Sequence, residues 1–273
     1  MIEKYYDGAI EQVAAGLGTV EKNHLLVRYS GQFSVENLND TKQLEKNEDI
    51  FVQVHEFETG EITCAYEPYL TMICDGFRRY MTGTFEEFME TCDVYYLHRP
   101  VLLGYFNQDN TGREEIILLD EVAYEQERML AALERMLCAI ADRHPVLFVL
   151  NRFQLASKST MQLTARFLKC ENCNIGLVLG VSDIQAMPEF LVPDWEMLYE
   201  TLDDGSKIYH IGNSGRKKEE TIDDEKYVDY GSEKVYRKLQ NMVEFLDFDQ
   251  AAYYLETIER KIKFDNLLVD DAA

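Results

Sequence analysis

The chain reads Pro145-Val146-Leu147-Phe148-Val149-Leu150 near its middle, and the polar residues Asn151 and Arg152 follow at once. An apolar run without alternating polar positions predicts a strand that is buried on both faces of a sheet. Comparable short runs occur elsewhere in the chain, at 24–30, 50–54, 175–181 and 207–211. We therefore expect five strands inside an α/β fold.

Helical patterns separate these runs. Apolar residues recur at spacings of three and four within 2–17, 66–92, 120–143 and 159–168. Strands that alternate with helices are typical of a parallel sheet, because the crossover helices cover both of its faces. The sequence therefore predicts a three-layer α/β sandwich with a parallel five-stranded sheet. We also expect Trp195 to lie in the core or at its rim, since Phe190, Leu191 and Leu198 flank it at helical spacing.

The composition changes after the predicted fifth strand. Residues 216–231 are polar, charged and close to glycines, which predicts a linker or loop. Two further helical patterns follow within 232–264. We therefore divide the chain into an α/β domain at 1–215, a charged linker or loop at 216–231, and a helical pair at 232–273. Because such a pair cannot bury both its faces alone, we expect it to begin a larger helical domain or array, and the chain to be a piece of a longer protein.

The net charge of the chain limits the kinds of partner that it is expected to bind. The chain contains 27 Lys and Arg against 50 Asp and Glu, for a formal net charge of −23. A phosphate backbone would meet a repulsive field, so we expect no direct contact with nucleic acid. No apolar run approaches the roughly 20 residues of a membrane-spanning helix, and the first residues do not resemble a signal peptide. We expect a cytoplasmic protein that binds no membrane, with other protein domains or a second copy of itself as partners.

Cysteine spacing indicates no metal centre. Six cysteines in 273 residues are too sparse for a disulfide scaffold, so reduced thiols are expected. The closest pair is Cys170 and Cys173, which would supply half of a zinc site. Because no second such pair or His-x-x-x-His motif completes four ligands, we predict no metal site.

The turn after the first strand lacks the residues that bind phosphate in many parallel α/β proteins. In those proteins a GxxxxGK[ST] loop wraps phosphates with backbone N–H groups, Lys neutralises them, and Ser or Thr holds Mg²⁺. If Gly31 takes the place of the first glycine, Glu36 replaces the second, Asn37 replaces Lys, and Leu38 replaces Ser or Thr. Glu36 adds a side chain and a negative charge where a polyanion would approach, and Leu38 cannot bind magnesium.

The end of the third strand also lacks the expected acids. Nucleotide hydrolysis of this kind uses an Asp, often beside a Glu, directly after that strand. This chain has Asn151 and Arg152 there; Asn is a weak magnesium ligand, and Arg stays protonated and cannot act as a base. We therefore predict no catalytic residue at this position. On spacing alone, both segments are also compatible with ordinary strand-turn-helix connections that never bound phosphate.

Residues 145–168 resemble the Walker B segment of the STAND-type AAA ATPases, which are P-loop NTPases of bacterial signalling and transcriptional regulators. In that family a strand ending in Asp-Asp is followed by a His/Gln-Trp-Ala-Asp-x-x-Ser-Leu-like stretch. Gln154, Ala156 and Ser159 match this pattern, whereas Asn151 and Arg152 replace the acids and Leu155 replaces the Trp. Residues 65–70 are similar to the family's entry to the helix after strand 2, and 175–182 to its sensor 1 strand, which ends here at Ser182.

The resemblance implies a fold and a role. It implies a P-loop-NTPase-like domain with strand order 5-1-4-3-2, followed by helices similar to the start of a tetratricopeptide-like array. The vestigial nucleotide-binding residues would be Gly31, Glu36, Asn37, Leu38, Asn151, Arg152 and Ser182. Because the diagnostic residues are replaced, we expect a regulatory or scaffold module that does not hydrolyse ATP and carries no cofactor.

Two alternatives remain open. The domain could still bind ATP and magnesium through an atypical phosphate loop, with Lys42 reaching the phosphates from the following helix. An enzyme of another class could use a cysteine or histidine; the candidates are Cys64, Cys74, His55, His98 and His144. No nucleophile motif accompanies any of them, so we expect them to be packed side chains.

Overall fold

A computed structural model describes most of the chain. The described residues are 2–19, 24–29, 49–58, 63–108, 121–170, 174–182, 187–203, 207–211 and 233–270. The positions Gly31, Glu36, Asn37, Leu38 and Lys42 and the predicted linker at 216–231 lie outside them. No helix among the described residues is long and apolar enough to cross a membrane.

A parallel sheet forms the centre of the α/β domain. Its strands are β1 (His24–Tyr29), β2 (Phe51–Glu56), β3 (Val146–Asn151), β4 (Ile175–Ser182) and β5 (Lys207–Ile211). They lie in the order β2-β3-β4-β1-β5, and every neighbouring pair is parallel. β3 and β4 are buried along their whole length, as the continuous apolar runs predict. The expectation that β2 is a buried strand is wrong: it lies at an edge of the sheet, and only Phe51 is fully buried.

Helices connect and cover the strands. They are α1 (Ile2–Gly16), α2 (Tyr69–Tyr80), α3 (Phe85–Thr91), α4 (Arg99–Asn107), α5 (Val122–Ala141), α6 (Lys158–Lys169), α7 (Val192–Asp203), α8 (Glu233–Glu244) and α9 (Phe248–Asp270). The predicted helical region at 66–92 is divided into α2 and α3. The division falls at Gly83, which has a φ of +91°, and at Thr84, which opens α3 with a capping box to Glu87.

The two faces of the sheet carry separate cores. On one face, Ile10 and Val13 of α1 pack against alternate strand residues such as Leu25, Leu147 and Val178. Gly176 allows this close approach, because a Cβ there would lie 2.6 Å from Val13 Cγ1. On the other face, α2, α5 and α6 cover the opposite strand residues in a larger core. The α/β class and the three-layer arrangement are therefore confirmed.

Aromatic side chains fill the larger core. The Tyr69 ring lies against Phe148 of β3 and Phe167 of α6, with centroids 4.7 Å and 5.1 Å away. Its hydroxyl forms a 2.6 Å hydrogen bond with Thr164 Oγ1, which satisfies the one polar atom of a completely buried side chain. Trp195 is half-buried and packs against this core, so its predicted place at the rim is confirmed.

The helical pair, α8 and α9, packs against the α/β domain. Asn241 Oδ1 of α8 accepts a 3.0 Å hydrogen bond from the Ala65 N–H, and the Tyr66 and Phe245 rings lie 6.1 Å apart. The pair also has its own small core, formed by Val235, Met242 and Ala251. The two helices are therefore docked on the preceding part of the chain.

Candidate functional site at the carboxyl edge of the sheet

Four of the five strands end in polar residues at the same edge of the sheet. Tyr29 ends β1, Glu56 ends β2, Asn151 ends β3 and Ser182 ends β4. The strand register aligns Tyr29 with Ser182 and Glu56 with Asn151. We call this group the carboxyl edge. In open parallel α/β sheets, ligands bind outside this end of the strands, so it is the candidate site.

Asn151 is held by Tyr29. Its side chain is completely buried, and its Oδ1 accepts a 2.6 Å hydrogen bond from the Tyr29 hydroxyl. Burial raises the pKa of Tyr29 to about 12, although the Arg152 guanidinium acts in the opposite direction. The tyrosine is therefore a neutral donor at physiological pH. Tyr29 donates its hydroxyl proton to the amide oxygen of Asn151. The resemblance expects a carboxylate at this position.

Arg152 is held by Glu56. Its backbone is left-handed, with a φ of 54°, at the turn that leaves β3. Its guanidinium Nη2 lies 3.3 Å from Glu56 Oε1, and both side chains are largely buried. The charge of Glu56, the carboxylate that ends β2, is thus balanced by Arg152 within the edge.

Ser182 is connected to the turn after β3. Gln154 Nε2 donates to the Ser182 carbonyl oxygen over 3.1 Å, and the Ser182 N–H donates to Gln154 Oε1 over 3.4 Å. Both residues are buried. This two-way amide pairing fixes the ends of β3 and β4 relative to each other. The pairing uses the backbone N–H and carbonyl oxygen of Ser182, the residue that the resemblance places at sensor 1.

The amino end of α6 lies beside this edge and is occupied by the helical pair. Ser157 caps the helix, with its Oγ accepting from the Thr160 N–H over 3.3 Å. The Ser159 N–H donates to Asp247 Oδ2 over 3.2 Å, and the Lys158 N–H donates to Gln250 Oε1 over 3.2 Å. A helix amino end attracts anions through its unpaired N–H groups. Here the groups that accept from these N–H atoms are side-chain oxygens of the same chain.

Asp247 is nearly inaccessible to solvent, with 4% of its surface exposed. Burial raises the pKa of its carboxyl group, whereas the hydrogen bonds from Ser159 lower it. The neighbouring Asp249 forms an ion pair with the Lys158 ammonium group. Asp247 of the α8–α9 turn and Asp249 of the first turn of α9 therefore contact consecutive residues, Ser159 and Lys158, of the α6 amino end.

The carboxyl edge does not fit a magnesium ion. Mg²⁺ requires oxygen ligands, usually carboxylates, at near-octahedral geometry. The Asn151 oxygen accepts from Tyr29, the Glu56 carboxylate faces a guanidinium, and Arg152 adds a cation. Over the described part of the chain, no group of three or more His, Cys, Asp or Glu is placed to hold a metal ion. The charges and polar atoms at the carboxyl edge are therefore paired with one another and are not arranged to hold a metal ion.

A second polar cluster lies between α2 and α4. Glu67 is half-buried; its carboxylate accepts from the Tyr105 hydroxyl and, over 3.0 Å, from Thr71 Oγ1. Burial raises the pKa of Glu67, while these two hydrogen bonds lower it. A cavity of about 560 Å³ adjoins the cluster, with Thr71, Tyr105 and residues of α8 in its wall. The cluster contributes to the contact region between the domain and the helical pair.

Cys74 and the three histidine candidates are engaged in packing. Burial raises the pKa of Cys74 to about 12, which disfavours the thiolate that a nucleophile requires.

His98 is completely buried, and its Nε2 lies 3.2 Å from Glu125 Oε2. The His144 ring stacks on the Tyr80 ring, with centroids 4.1 Å apart. The His55 ring lies 4.5 Å from that of Phe57. These contacts favour structural roles.

The structure brings together only part of the predicted site. Asn151, Arg152 and Ser182 lie at the carboxyl edge, whereas Gly31, Glu36, Asn37 and Leu38 belong to residues that are not described. Sequence reasoning missed Tyr29, Glu56 and Asp247. Tyr29 and Glu56 could have been found from the rule that parallel strands align their carboxyl ends. For Asp247, the only signal in the sequence was its position between two predicted helices.

The chain matches no protein-family model and no curated protein. The observations that bear on function are therefore the internal contacts of the carboxyl edge and the docked helical pair.

Proposed function

We propose that this chain is a regulatory or scaffold module of a signalling or transcriptional regulator. It is built on a P-loop-NTPase-like fold that does not hydrolyse ATP. Its partners are other protein domains or a second copy of the chain, and the contact surface includes the helical pair.

The sheet supports the proposed fold family. The strand order β2-β3-β4-β1-β5, taken from its other end, is the order 5-1-4-3-2 that the resemblance implies. Helices cover both faces, and Asn151 and Arg152 directly follow the apolar run of β3. Strand order depends on pairings between distant segments, so it is an observation independent of the Walker B likeness.

The observation that carries the proposal is the neutralised carboxyl edge. A hydrolysing site needs a carboxylate at the end of β3 to position magnesium and water. This chain has instead an amide bonded to Tyr29 and a guanidinium paired with Glu56. Both interactions hold the edge together within the protein, which is the behaviour expected of a structural module.

The helical pair supports the role in binding partners. Large apolar side chains are exposed on it: Tyr236 is 67%, Val243 47% and Leu255 55% exposed. Tyr236 and Val243 are seven residues apart on α8 and therefore share one face of the helix. Apolar side chains grouped on an exposed helix face are typical of protein contact surfaces.

A hydrolysis assay tests the proposal. Phosphate release from ATP is measured with and without magnesium for the wild-type protein and for Asn151→Ala. We expect no release above the protein-free blank for either. The matched control is Asn107→Ala, which makes the same substitution at an exposed position at the end of α4.

Magnesium-dependent hydrolysis that Asn151→Ala abolishes and Asn107→Ala retains would contradict the proposal. It would favour the alternative, a functional ATPase domain with an atypical phosphate loop. In that case Lys42→Ala tests whether Lys42 supplies the phosphate contact.

A further inference from the structure

Two thiols from different helices meet at the opposite edge of the sheet. Cys138 lies in the last turn of α5, and Cys170 ends α6. Their Sγ atoms are 3.5 Å apart, although the residues are 32 positions apart in the sequence. The Cys170 backbone is fixed, because its N–H donates to the carbonyl oxygens of Arg166 and Phe167.

This pair is accessible. Cys138 and Cys170 are both half-buried, whereas Cys74 and Cys92 are buried. A groove of about 490 Å³ runs between α5 and α6, and its wall includes Cys170. The other contributors to that wall include Leu130, Glu134, Ala165, Arg166 and Lys169. A small oxidant therefore has a path to at least one sulfur of the pair.

We propose that Cys138 and Cys170 form a reversible redox pair that hydrogen peroxide converts to a disulfide. The sulfur atoms need to approach from 3.5 Å to the bonded distance of about 2.05 Å, which side-chain rotation and a small helix displacement can supply. Disulfides in a reducing compartment are transient and redox-sensing, which agrees with a reversible pair. The inference does not depend on the proposed function.

Oxidation of the thiol pair by hydrogen peroxide takes place in two steps. The Cys170 sulfur attacks one peroxide oxygen and breaks the O–O bond, which gives a sulfenic acid at Cys170 and one water. The Cys138 sulfur then attacks the Cys170 sulfur and displaces the sulfenic oxygen, which leaves as a second water together with the thiol proton. The two sulfurs lose two electrons in total, and peroxide gains them. Cys170 lies in the wall of the groove, so it is the thiol that peroxide reaches and oxidises first.

The disulfide would constrain the segment that leads to the carboxyl edge. The loop it closes contains β3, the turn at Asn151 and Arg152, and all of α6. Cross-linking its ends lowers the entropy of the unfolded chain. Oxidation is therefore expected to raise Tm by about 5 °C, since a domain of this size gains a few degrees for each kcal/mol.

Peptide mapping of the full chain tests the inference. The protein is treated with hydrogen peroxide, alkylated and digested with trypsin under non-reducing conditions. We expect monomeric protein in which peptide 136–143 is linked to peptide 170–207, and separation of the two by dithiothreitol. Cleavage after Glu171 separates Cys170 from Cys173 and identifies the linked sulfur.

Variants supply the controls. Cys138→Ser and Cys170→Ser should abolish the linked peptide and the rise in Tm, whereas Cys173→Ser and Cys64→Ser should retain both. Because mapping of the wild-type protein needs no variant, a folding defect in Cys138→Ser leaves the test intact. A Cys170–Cys173 disulfide, a linkage found only in covalent dimers, or Cys138 alkylated throughout would overturn the inference.

Discussion

The Tyr29 hydroxyl reaches Asn151 Oδ1 across the end of β4. The two atoms are 2.6 Å apart, and the residues are 122 positions apart in the sequence. β1 and β3 are not neighbours, because β4 lies between them. The hydrogen bond therefore joins the carboxyl ends of β1 and β3 across the strand between them, where the resemblance expects a magnesium-binding carboxylate.

Removal of this hydroxyl should destabilise the protein. Tyr29→Phe keeps the ring but leaves the buried Asn151 oxygen without its tyrosine donor, so we expect a loss of about 1–2 kcal/mol in the free energy of unfolding. Denaturant titration measures it. The control is Tyr236→Phe on exposed α8, which should change stability by less than about 0.5 kcal/mol. Equal losses in the two variants would show that the Tyr29 bond contributes nothing.

The docking of the helical pair should depend on Asp247. Asp247→Ala removes the acceptor of the Ser159 N–H at the α6 amino end, and we expect a cost of about 1–3 kcal/mol. Amide hydrogen exchange should become faster in α8, in α9 and in the first turn of α6. Asp249→Ala is the control, because its carboxylate is mostly exposed and such ion pairs contribute little. Unchanged exchange in Asp247→Ala would argue against a docking role for this residue.

Glu67 should make stability depend on pH. Burial raises its folded-state pKa above the unfolded value of about 4.3, so the folded protein binds this proton more tightly. The contribution of Glu67 is complete below about pH 4 and is lost as the pH rises through the folded-state pKa. Glu67→Gln stays neutral and still accepts from Tyr105.

The free energy of unfolding of Glu67→Gln relative to wild type should therefore increase from about pH 5 to about pH 8. Denaturant titrations at both pH values measure this difference. Glu86→Gln, exposed in the first turn of α3, serves as the control and should show no such trend. A constant or decreasing difference for Glu67→Gln would contradict the assigned direction.

Gly176 should be required by the contact between α1 and the sheet. A Cβ at this position would lie 2.6 Å from Val13 Cγ1 and 3.1 Å from Leu17 Cδ2. Gly176→Ala should therefore cost about 1–3 kcal/mol through overpacking, measured by thermal or denaturant unfolding. Gly8→Ala within α1 meets nothing within 4 Å and should stabilise by about 0.5–1 kcal/mol, since Ala favours helix. A neutral Gly176→Ala would mean that α1 can shift away from β4.

Local patterns predicted most of the secondary structure. The continuous apolar runs placed β1, β3 and β4, because strands covered on both faces carry few polar residues. α4 was missed, since this short helix buries little beyond Val101, Leu102 and Gly104 and leaves only a brief apolar pattern. The edge position of β2 was not predicted by its apolar run; only the strand order 5-1-4-3-2 that the resemblance implies places this strand at an edge. It depends on which strands pair, and the apolar run does not encode that.

The candidate site was predictable only where it follows a strand end. Asn151 and Arg152 come directly after an apolar run, so their place at the carboxyl edge follows from the parallel sheet. Tyr29 and Glu56 also end strands, so the same rule could have placed them at this edge, but their pairing with Asn151 and Arg152 depends on contacts between distant segments. Asp247 is one of 50 acidic residues, and nothing in its local sequence distinguishes a buried carboxylate from an exposed one.

Calorimetric titration with ATP and ADP, with and without magnesium, measures whether the carboxyl edge binds a nucleotide. The neutralised carboxyl edge predicts no heat of binding for either nucleotide from micromolar to millimolar concentration. Magnesium-dependent binding that Asn151→Ala weakens and Asn107→Ala leaves unchanged would contradict the account, because it would show that this edge still serves a nucleotide.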